Sequence, residues 1–378
     1  MAKKRHISID TPSLFDDLDN PDGVQTGQKT KPDTTYVNDV FPRAPEPVDF
    51  IPQEETEFDI LLSETDENPA AEQEVVDTET STPVVDPIDR LLFLSLGSGS
   101  SGCCSYLGTD EEGIIIDAGV DAKKVITGLA EHGITADAVK GIILTHDHRD
   151  HVGFAYTLAK ALNKKRPAER QIRIYSSPHT LKGMLLRHNI SIRVKDFHTP
   201  FYLETPFKVA KFEITPFAVS HDGLNDMSFG FFITTADYTF AIATDTGTVT
   251  DGMRRYLPRA ENIMIESNYD SDMLEKGRYP EYLKARIRGQ KGHLCNDDCA
   301  RFLAEIYSPT IKYIFLCHLS EENNTPQLAR DTSFKALTEK GVVVGEGNNT
   351  FSDRDADVQL VVLPRRIPSP LFSFRHGN

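Results

Sequence analysis

The most informative part of this 378-residue chain is the segment Thr145-His146-Asp147-His148-Arg149-Asp150-His151. It follows Gly141–Leu144, an apolar run that indicates a buried strand, so its side chains are expected where a sheet ends. Imidazole and carboxylate groups together suit Zn, Mn or Fe(II). The H-x-H-x-D-H spacing lets alternate side chains face two neighbouring ions. The segment therefore predicts a metal site on a loop after a strand.

One loop cannot complete two metal sites, so further ligands must come from other strand ends. Three residues that come shortly after predicted strands occupy such positions: His221, Asp245 and His318. Each of them alone would be better explained as an ordinary polar residue at a strand end. The histidine-rich segment changes that interpretation, because it requires donors from elsewhere in the chain.

The apolar periodicity around this segment predicts strands and helices in mixed order. Predicted strands cover 91–96, 105–108, 113–116, 141–144, 172–175, 211–217, 228–234, 238–243, 261–266 and 311–316, and predicted helices cover 123–132, 153–163, 249–256, 297–306 and 327–339. Several strand pairs are predicted to be antiparallel, with helices interspersed. This order favours a layered α/β sandwich over a doubly wound sheet.

Residues 97–102, Gly-Ser-Gly-Ser-Ser-Gly, match the G-x-G-x-x-G pattern and follow a predicted strand. A dinucleotide-binding fingerprint must then open a helix, so that the helix N-terminus meets the pyrophosphate. The next residues, Cys103–Gly108, favour a strand instead. We therefore predict a hairpin turn, with contact between its backbone N–H groups and an anion as the open alternative.

The net charge of −16 is concentrated in residues 1–88, which carry 21 acidic residues, 6 basic residues and 10 of the 22 prolines. Such a segment cannot bury enough apolar surface to offset its loss of entropy on ordering. We predict a disordered acidic tail over 1–88 and a folded domain over 89–378. Two apolar–acidic clusters, at 13–18 and 57–62, are either docking motifs for a protein partner or residual hydrophobic residues of a linker.

Cysteine content and hydropathy predict the cellular setting. The five cysteines include an adjacent pair, Cys103 and Cys104, which suits a disulfide framework poorly and favours a reducing cytoplasm. No apolar run approaches the length of a bilayer span, and no N-terminal segment has the pattern of a secretory signal. We expect a cytoplasmic protein with no membrane partner.

The histidine-rich segment, the later His221, the aspartate Asp245 and the final His318 together resemble the metallo-β-lactamase fold hydrolases, over roughly residues 91–345. The resemblance implies a four-layer αβ/βα sandwich and two divalent metal ions, Zn or Mn, with a hydroxide between them as the nucleophile. It implies the following ligands: His146, His148 and His221 for one ion, Asp150, His151 and His318 for the other, and Asp245 as the bridge. It also implies that Asp150 orients the nucleophile and that Asp117 and Thr145 support the ligating loops.

The spacing of the predicted ligands and four further motifs indicate which branch of this family the chain resembles. Only 73 residues separate Asp245 from His318, too few for the large domain that nucleases of the ribonuclease J type carry there. Four segments resemble the YycJ/WalJ branch, whose members are described as exonucleases on DNA: Ser95–Gly102, Ile265–Asp270, Gly292–Asn296 and Cys317–Asn323. The chain departs from this branch at Cys103 and Cys295, where the branch usually has Asn and Ser.

The resemblance implies a di-metal hydrolase that cleaves phosphodiester bonds of nucleic acid, in this branch a DNA exonuclease. One alternative is a hydrolase of thioesters or lactones with the same fold, which should have an apolar acyl pocket. Another is a degenerate member that only binds its ligand. The seven intact ligand positions argue against this last alternative.

His293 is a candidate for contact with the substrate. In related tRNA 3′-processing enzymes, a histidine in a similar motif lies at the scissile phosphate. By that resemblance His293 binds phosphate or acts as a general acid, with Glu266 orienting it; the alternative is a helix-capping or core histidine.

Two groups of basic residues are candidates for guiding the nucleic-acid backbone. The run Lys284–Lys291, which leads into His293, contains the candidates Arg286, Arg288 and Lys291, and a second group lies at 164–173. Lys and Arg side chains attract phosphates without reading sequence, which is all that an exonuclease needs. The alternative is that both groups are solvated surface, because residues 89–378 carry a net charge of only −1.

Overall fold

Two β-sheets, each flanked by helices, form the part of the chain that the computed structural model describes, residues 90–347 and 355–375. The first sheet has the order β15-β1-β2-β3-β4-β5-β6. Its strands are β1 (Leu91–Gly99), β2 (Gly102–Gly108), β3 (Gly113–Ile116), β4 (Val139–Ile143), β5 (Arg173–Ser176), β6 (His198–Pro200) and β15 (Phe372–Phe374).

The second sheet has the order β13-β14-β12-β11-β10-β9-β8-β7. Its strands are β7 (Phe207–Val209), β8 (Phe212–Ala218), β9 (Phe229–Thr234), β10 (Thr239–Ala243), β11 (Asn262–Glu266), β12 (Tyr313–Cys317), β13 (Val344–Glu346) and β14 (Val358–Val362). The α-helices of the described residues are α1 (Ala122–Glu131), α2 (Arg149–Val152), α3 (Ala155–Asn163), α4 (Pro178–Leu186), α5 (Asp251–Tyr256), α6 (Ser271–Lys276), α7 (Glu281–Arg288), α8 (Asn296–Ile306) and α9 (Pro326–Thr338).

Three apolar clusters give the structure four layers. Phe93 of the first sheet and Phe315 of the second belong to a cluster that joins the two sheets, and their rings lie 4.8 Å apart between centroids. A second cluster packs helix residues such as Leu158 against the outer face of the first sheet. A third packs Phe302 and its neighbours against the outer face of the second sheet. The predicted four-layer αβ/βα sandwich is confirmed.

The direction of the strands brings several strand ends to one edge. In the first sheet β3, β4, β5 and β6 are parallel, and in the second sheet β10, β11, β12, β14 and β13 are parallel. The loops after parallel strands emerge on the same side of a sheet, and polar side chains on those loops can meet there. Asp117, Thr145, Asp245, Glu266 and His318 all lie at or directly after the ends of such strands.

The sequence-based prediction of elements is confirmed for the strands and helices that bound the histidine-rich segment. It missed the helices α2, α4, α6 and α7 and the strands β6, β7, β13, β14 and β15. Helix α2 begins at Arg149, inside the segment that was predicted to be a loop. The glycine-rich residues 97–102 do form a hairpin, but the turn is confined to Ser100 and Ser101, and the strands run through Gly99 and resume at Gly102. Gly102 has a φ of +146°, and a Cβ there would lie 2.5 Å from the Gly119 carbonyl oxygen, so glycine is required.

Some expectations fall on residues that the structure does not describe. The predicted disordered tail over 1–88, with its two apolar–acidic clusters, lies outside the described residues. All five cysteines lie within them, buried and without disulfide bonds. None of the described helices has the length and apolar character needed to cross a membrane.

Candidate metal centre

All seven predicted ligands lie together where the two sheets meet at the edge defined above. Within four groups of side chains, the ligand atoms lie within 4.8 Å of one another. The groups are His146, His148 and His221; His146, His151 and Asp245; Asp245, Glu266, His293 and His318; and Cys103, His151 and His318. These groups overlap, so they form one continuous buried cluster.

The first part of the cluster contains three imidazoles. His148 Nδ1 lies 3.1 Å from His221 Nε2. His221 donates its Nδ1 hydrogen to the Gly292 carbonyl oxygen at 2.8 Å, and His146 donates its Nδ1 hydrogen to Thr145 Oγ1 at 3.0 Å. In both rings this leaves the Nε2 lone pair for another partner. The buried Nε2 of His146 makes no hydrogen bond.

Asp245 lies between the first and second parts of the cluster. Its Oδ2 is 3.4 Å from His151 Nε2, 3.6 Å from His221 Nε2 and 3.8 Å from His146 Nε2. Thr244 donates its hydroxyl hydrogen to Asp245 Oδ1 at 2.6 Å, which fixes the carboxylate. One carboxylate thus lies beside imidazoles from both parts.

The second part of the cluster combines Asp150, His151 and His318. Asp150 Oδ2 lies 3.6 Å from His318 Nε2 and 3.9 Å from His151 Nε2. His151 donates its Nδ1 hydrogen to Asp117 Oδ2 at 2.7 Å, and its buried Nε2 makes no hydrogen bond.

The imidazoles of the cluster differ in their pKa shifts. Burial acts to lower the pKa of His148, but Asp222 outweighs it and raises that pKa. Burial lowers the pKa of His146 well below its usual value and that of His221 to about 4, so both are neutral at pH 7. Burial also acts to lower the pKa values of His151 and His318, but nearby carboxylates, Asp245 foremost, outweigh it and raise both pKa values well above the usual value. Carboxylates therefore surround the two imidazoles of the second part, and a cation bound there would interact favourably with them.

Asp117 and Thr145 hold the ligating loop from behind. Asp117 Oδ1 accepts hydrogen bonds from the Thr145 backbone N–H at 2.9 Å and from its hydroxyl at 3.0 Å. The same carboxylate holds His151, and the Thr145 hydroxyl oxygen accepts from His146. These hydrogen bonds fix the orientation of two imidazoles.

Glu266 links the candidate ligand His318 to His293. Its Oε1 accepts from His293 Nδ1 at 2.7 Å and from His318 Nδ1 at 2.8 Å. Its Oε2 accepts from the backbone N–H groups of Thr246 at 2.7 Å and Leu294 at 3.2 Å. No other described carboxylate holds these two imidazoles at such short distances.

His293 belongs to the same cluster and is only 2% exposed. Its ring centroid lies 5.0 Å from that of His221 and 5.2 Å from that of His318. One alternative predicted that His293 caps the following helix, and the structure does not show this. Cys295 is the N-cap of α8, and its Sγ accepts a hydrogen bond from the Asp298 backbone N–H.

The basic run lies mostly on helix α7, and each of its three predicted cations is paired with an acid. Arg286 pairs with Asp222, Arg288 with Glu275, and Lys291 with Asp226. Arg286 is linked to the centre through its partner, because Asp222 Oδ1 lies 3.3 Å from His148 Nε2. Sequence reasoning missed Asp222, although the residue follows His221 directly.

The second predicted basic group contains structural residues. Arg166 donates to the Val139 carbonyl oxygen at 2.8 Å, and Arg173 donates to the Asp196 carbonyl oxygen at 2.8 Å. These two guanidinium groups hold neighbouring backbone segments, so they are poorly placed to bind an external phosphate.

Comparison with known proteins identifies relatives of both the sequence and the fold. Residues 113–318 match the model of the Beta-lactamase superfamily domain. Exodeoxyribonuclease YycJ of Bacillus anthracis is 34% identical over 270 residues, which cover 71% of this chain and 97% of that protein. Exodeoxyribonuclease WalJ of Streptococcus pneumoniae serotype 2 (strain D39 / NCTC 7466) is 31% identical over 250 residues, which cover 66% of this chain and 89% of that protein.

A solved structure supports the fold alone. The metallo-β-lactamase fold protein YhfI of Bacillus subtilis superposes with a TM-score of 0.53 at 13% sequence identity, over 76% of this chain and 100% of that one.

Proposed function

This chain is a metal-dependent hydrolase of the β-lactamase superfamily, and we propose that it is an exonuclease that cleaves phosphodiester bonds of DNA with two divalent ions. The observation that carries the proposal is the buried cluster in which Asp245 lies beside imidazoles of both parts. The names of the two curated relatives support DNA as the substrate.

The ligands follow the two parts of the cluster. His146, His148 and His221 would hold one ion, Asp150, His151 and His318 would hold the other, and Asp245 would serve both. Bound divalent ions supply Lewis acidity, which lowers the pKa of water and neutralises charge on a phosphate oxygen. The donor set fits such ions, because imidazole and carboxylate ligands suit Zn and Mn.

The residues around the ions position the reacting groups. Asp117 and Thr145 keep the Nδ1 hydrogens of His151 and His146 occupied, so that Nε2 of each ring faces the centre. Asp150 holds the attacking water in line through its carboxylate. These roles require no movement of the ligating loop, because its backbone is fixed by Asp117.

His293 acts on the leaving group. Glu266 accepts the Nδ1 hydrogen of His293, so the other ring nitrogen, Nε2, is the atom that donates a proton to the leaving oxygen. Because Glu266 also holds His318, the proton donor and one metal ligand are positioned by a single carboxylate.

The backbone of the substrate approaches along the loop that follows α7. Arg286, Arg288 and Lys291 are paired with acids but lie at the surface, so phosphates can compete for them. Contacts of this kind position a strand without reading its sequence.

The test is digestion of end-labelled single- and double-stranded DNA and RNA by the purified protein with Mn²⁺ or Zn²⁺. We expect stepwise loss of nucleotides from DNA, and loss of that activity in Asp245→Ala. Asp137→Ala is the matched control, because Asp137 is 94% exposed and precedes β4, at the opposite end from the centre.

Either of two results would contradict the proposal. Full activity in Asp245→Ala would refute the metal assignment. Failure to cleave any polymer, with two bound ions confirmed by elemental analysis, would instead favour the thioester or lactone hydrolase.

A further inference from the structure

The tip of the β1–β2 hairpin is packed against the second part of the metal centre. Ser98 and Cys103 are opposite each other in the register of the two strands. Ser98 Oγ accepts a hydrogen bond from the His318 backbone N–H at 3.1 Å. The glycine-rich segment thus has a clear structural role, since it brings two side chains to the edge where His318 lies.

The two adjacent cysteines of β2 face different surroundings, because successive side chains of a strand point to opposite faces. Cys104 is 1% exposed and belongs to the apolar cluster behind the first sheet. Cys103 is 7% exposed, and its sulfur lies within 4.8 Å of ligand atoms of His151 and His318.

The position of Cys103 is fixed by the backbone around it. Gly119 donates its backbone N–H to the Cys103 carbonyl oxygen at 2.9 Å. A Cβ on Gly119 would lie 1.5 Å from the Asp150 carbonyl oxygen, so no other residue fits there. The strand that carries Cys103 is therefore packed closely against the loop that carries Asp150 and His151.

A second observation marks this corner as a ligand site. His151 is fully buried, and its Nε2 makes no hydrogen bond. A buried polar atom without a partner costs free energy, so such an atom in a native fold calls for a ligand. The Cys103 thiol donates a long hydrogen bond, 3.6 Å, to the Gly99 carbonyl oxygen.

We propose that Cys103 is a thiolate ligand of the ion held by Asp150, His151 and His318. This inference rests on the metal assignment made under Proposed function. On binding, the S–H bond gives its proton to solvent, and the sulfur lone pair binds the ion. Because thiolate is a soft ligand, this site selects zinc over manganese.

The test is the absorption spectrum of the full chain loaded with Co²⁺, which needs no substrate. A thiolate ligand gives cobalt an intense near-ultraviolet charge-transfer band, which imidazole and carboxylate ligands do not give. We expect this band in the wild-type protein at two bound ions, and its loss in Cys103→Ser. Cys104→Ala is the matched control and should keep the band.

A competition experiment gives a second readout. We expect Cys103→Ser to weaken binding of the second Zn²⁺ by about tenfold or more, with little change for Mn²⁺. Circular dichroism of each variant checks that it remains folded.

Two results would overturn the inference: no band with two cobalt ions bound, or a band that persists in Cys103→Ser. Neither of these depends on cleavage of nucleic acid. Failure of the thiolate assignment is therefore distinguishable from failure of the nuclease assignment, which the digestion assay tests separately.

Discussion

At the scale of single residues, the centre concentrates backbone strain. Asp117, Asp245 and His318 have φ values of 60°, 49° and 53°, in the left-handed region that residues other than glycine rarely adopt. Each lies within two residues of the end of a parallel strand. Such a conformation costs about 1–3 kcal/mol and persists only where surrounding contacts hold it. The hydrogen bonds to Asp117, Asp245 and His318 supply those contacts. The left-handed conformation directs the side chains of these three residues towards the centre.

Glu266 offers the sharpest test at this scale. Its two oxygens accept four hydrogen bonds, whereas the glutamine of Glu266→Gln would present an NH₂ group to some of those donors. We expect at least a tenfold lower kcat and a shifted pH profile with KM nearly unchanged, because Glu266 positions His293 and does not bind substrate.

The control for Glu266→Gln is a glutamate at the other end of strand β11. Glu261 precedes β11 and accepts only from the Thr239 backbone N–H at its Oε2. Glu261→Gln should keep both the rate and the pH profile. Equal losses in the two variants, or an unchanged pH profile in Glu266→Gln, would mean that Glu266 is merely structural.

At the scale of elements, helix α7 places neighbouring basic residues of the chain beside different acidic partners. Its cations are paired with acids, and exposed pairs of this kind contribute little to stability. Arg286 and Arg288 have similarly exposed side chains, 39% and 42%. They differ in their partners: Arg286 contacts Asp222, which lies beside His148, whereas Arg288 contacts Glu275.

This difference predicts unequal effects on substrate binding. We expect Arg286→Ala to raise KM for DNA several-fold and to reduce the salt dependence of binding by about one phosphate contact. Arg288→Ala should stay within about twofold of wild type. The measurement is KM at several salt concentrations, and equal effects of the two substitutions would show that distance from the centre is irrelevant.

At the scale of the whole molecule, the segment after β14 contacts the first sheet, the β1–β2 hairpin and the loop after His318. Strand β15 adds to the edge of the first sheet beside β1. Before it, the Arg365 side chain donates to the carbonyl oxygens of Leu319 at 3.0 Å, Ser320 at 2.6 Å and Asn324 at 2.9 Å. The Arg365 carbonyl oxygen accepts from the Ser98 backbone N–H at 3.1 Å. One residue thus holds the loop after His318 against the hairpin.

We expect Arg365→Ala to lower the free energy of unfolding by about 2 kcal/mol, because it leaves three carbonyl oxygens without their donor. The neighbouring Arg366 is the matched control. It is 64% exposed and pairs only with Glu321, so Arg366→Ala should cost less than about 1 kcal/mol. Denaturant unfolding of both variants measures the difference, and similar losses would contradict this role for Arg365.

The sequence by itself determined the kind of fold, and it predicted the residues that meet at the centre. Apolar periodicity located the strands, and the histidine-rich segment at a strand end marked the metal site. These are local signals, because a strand pattern and an H-x-H-x-D-H spacing can be recognised within a few residues. They also carried the resemblance to the family, which the comparisons confirm.

Only the tertiary structure decided which groups meet. Cys103 reaches the side of His151 and His318, Asp222 pairs with Arg286, and Glu266 holds two histidines at once. These partners come from separate strands and loops of the chain. No local pattern encodes such contacts, because they form only when the sheet order and the closing of the two sheets on each other bring the strand ends to one edge.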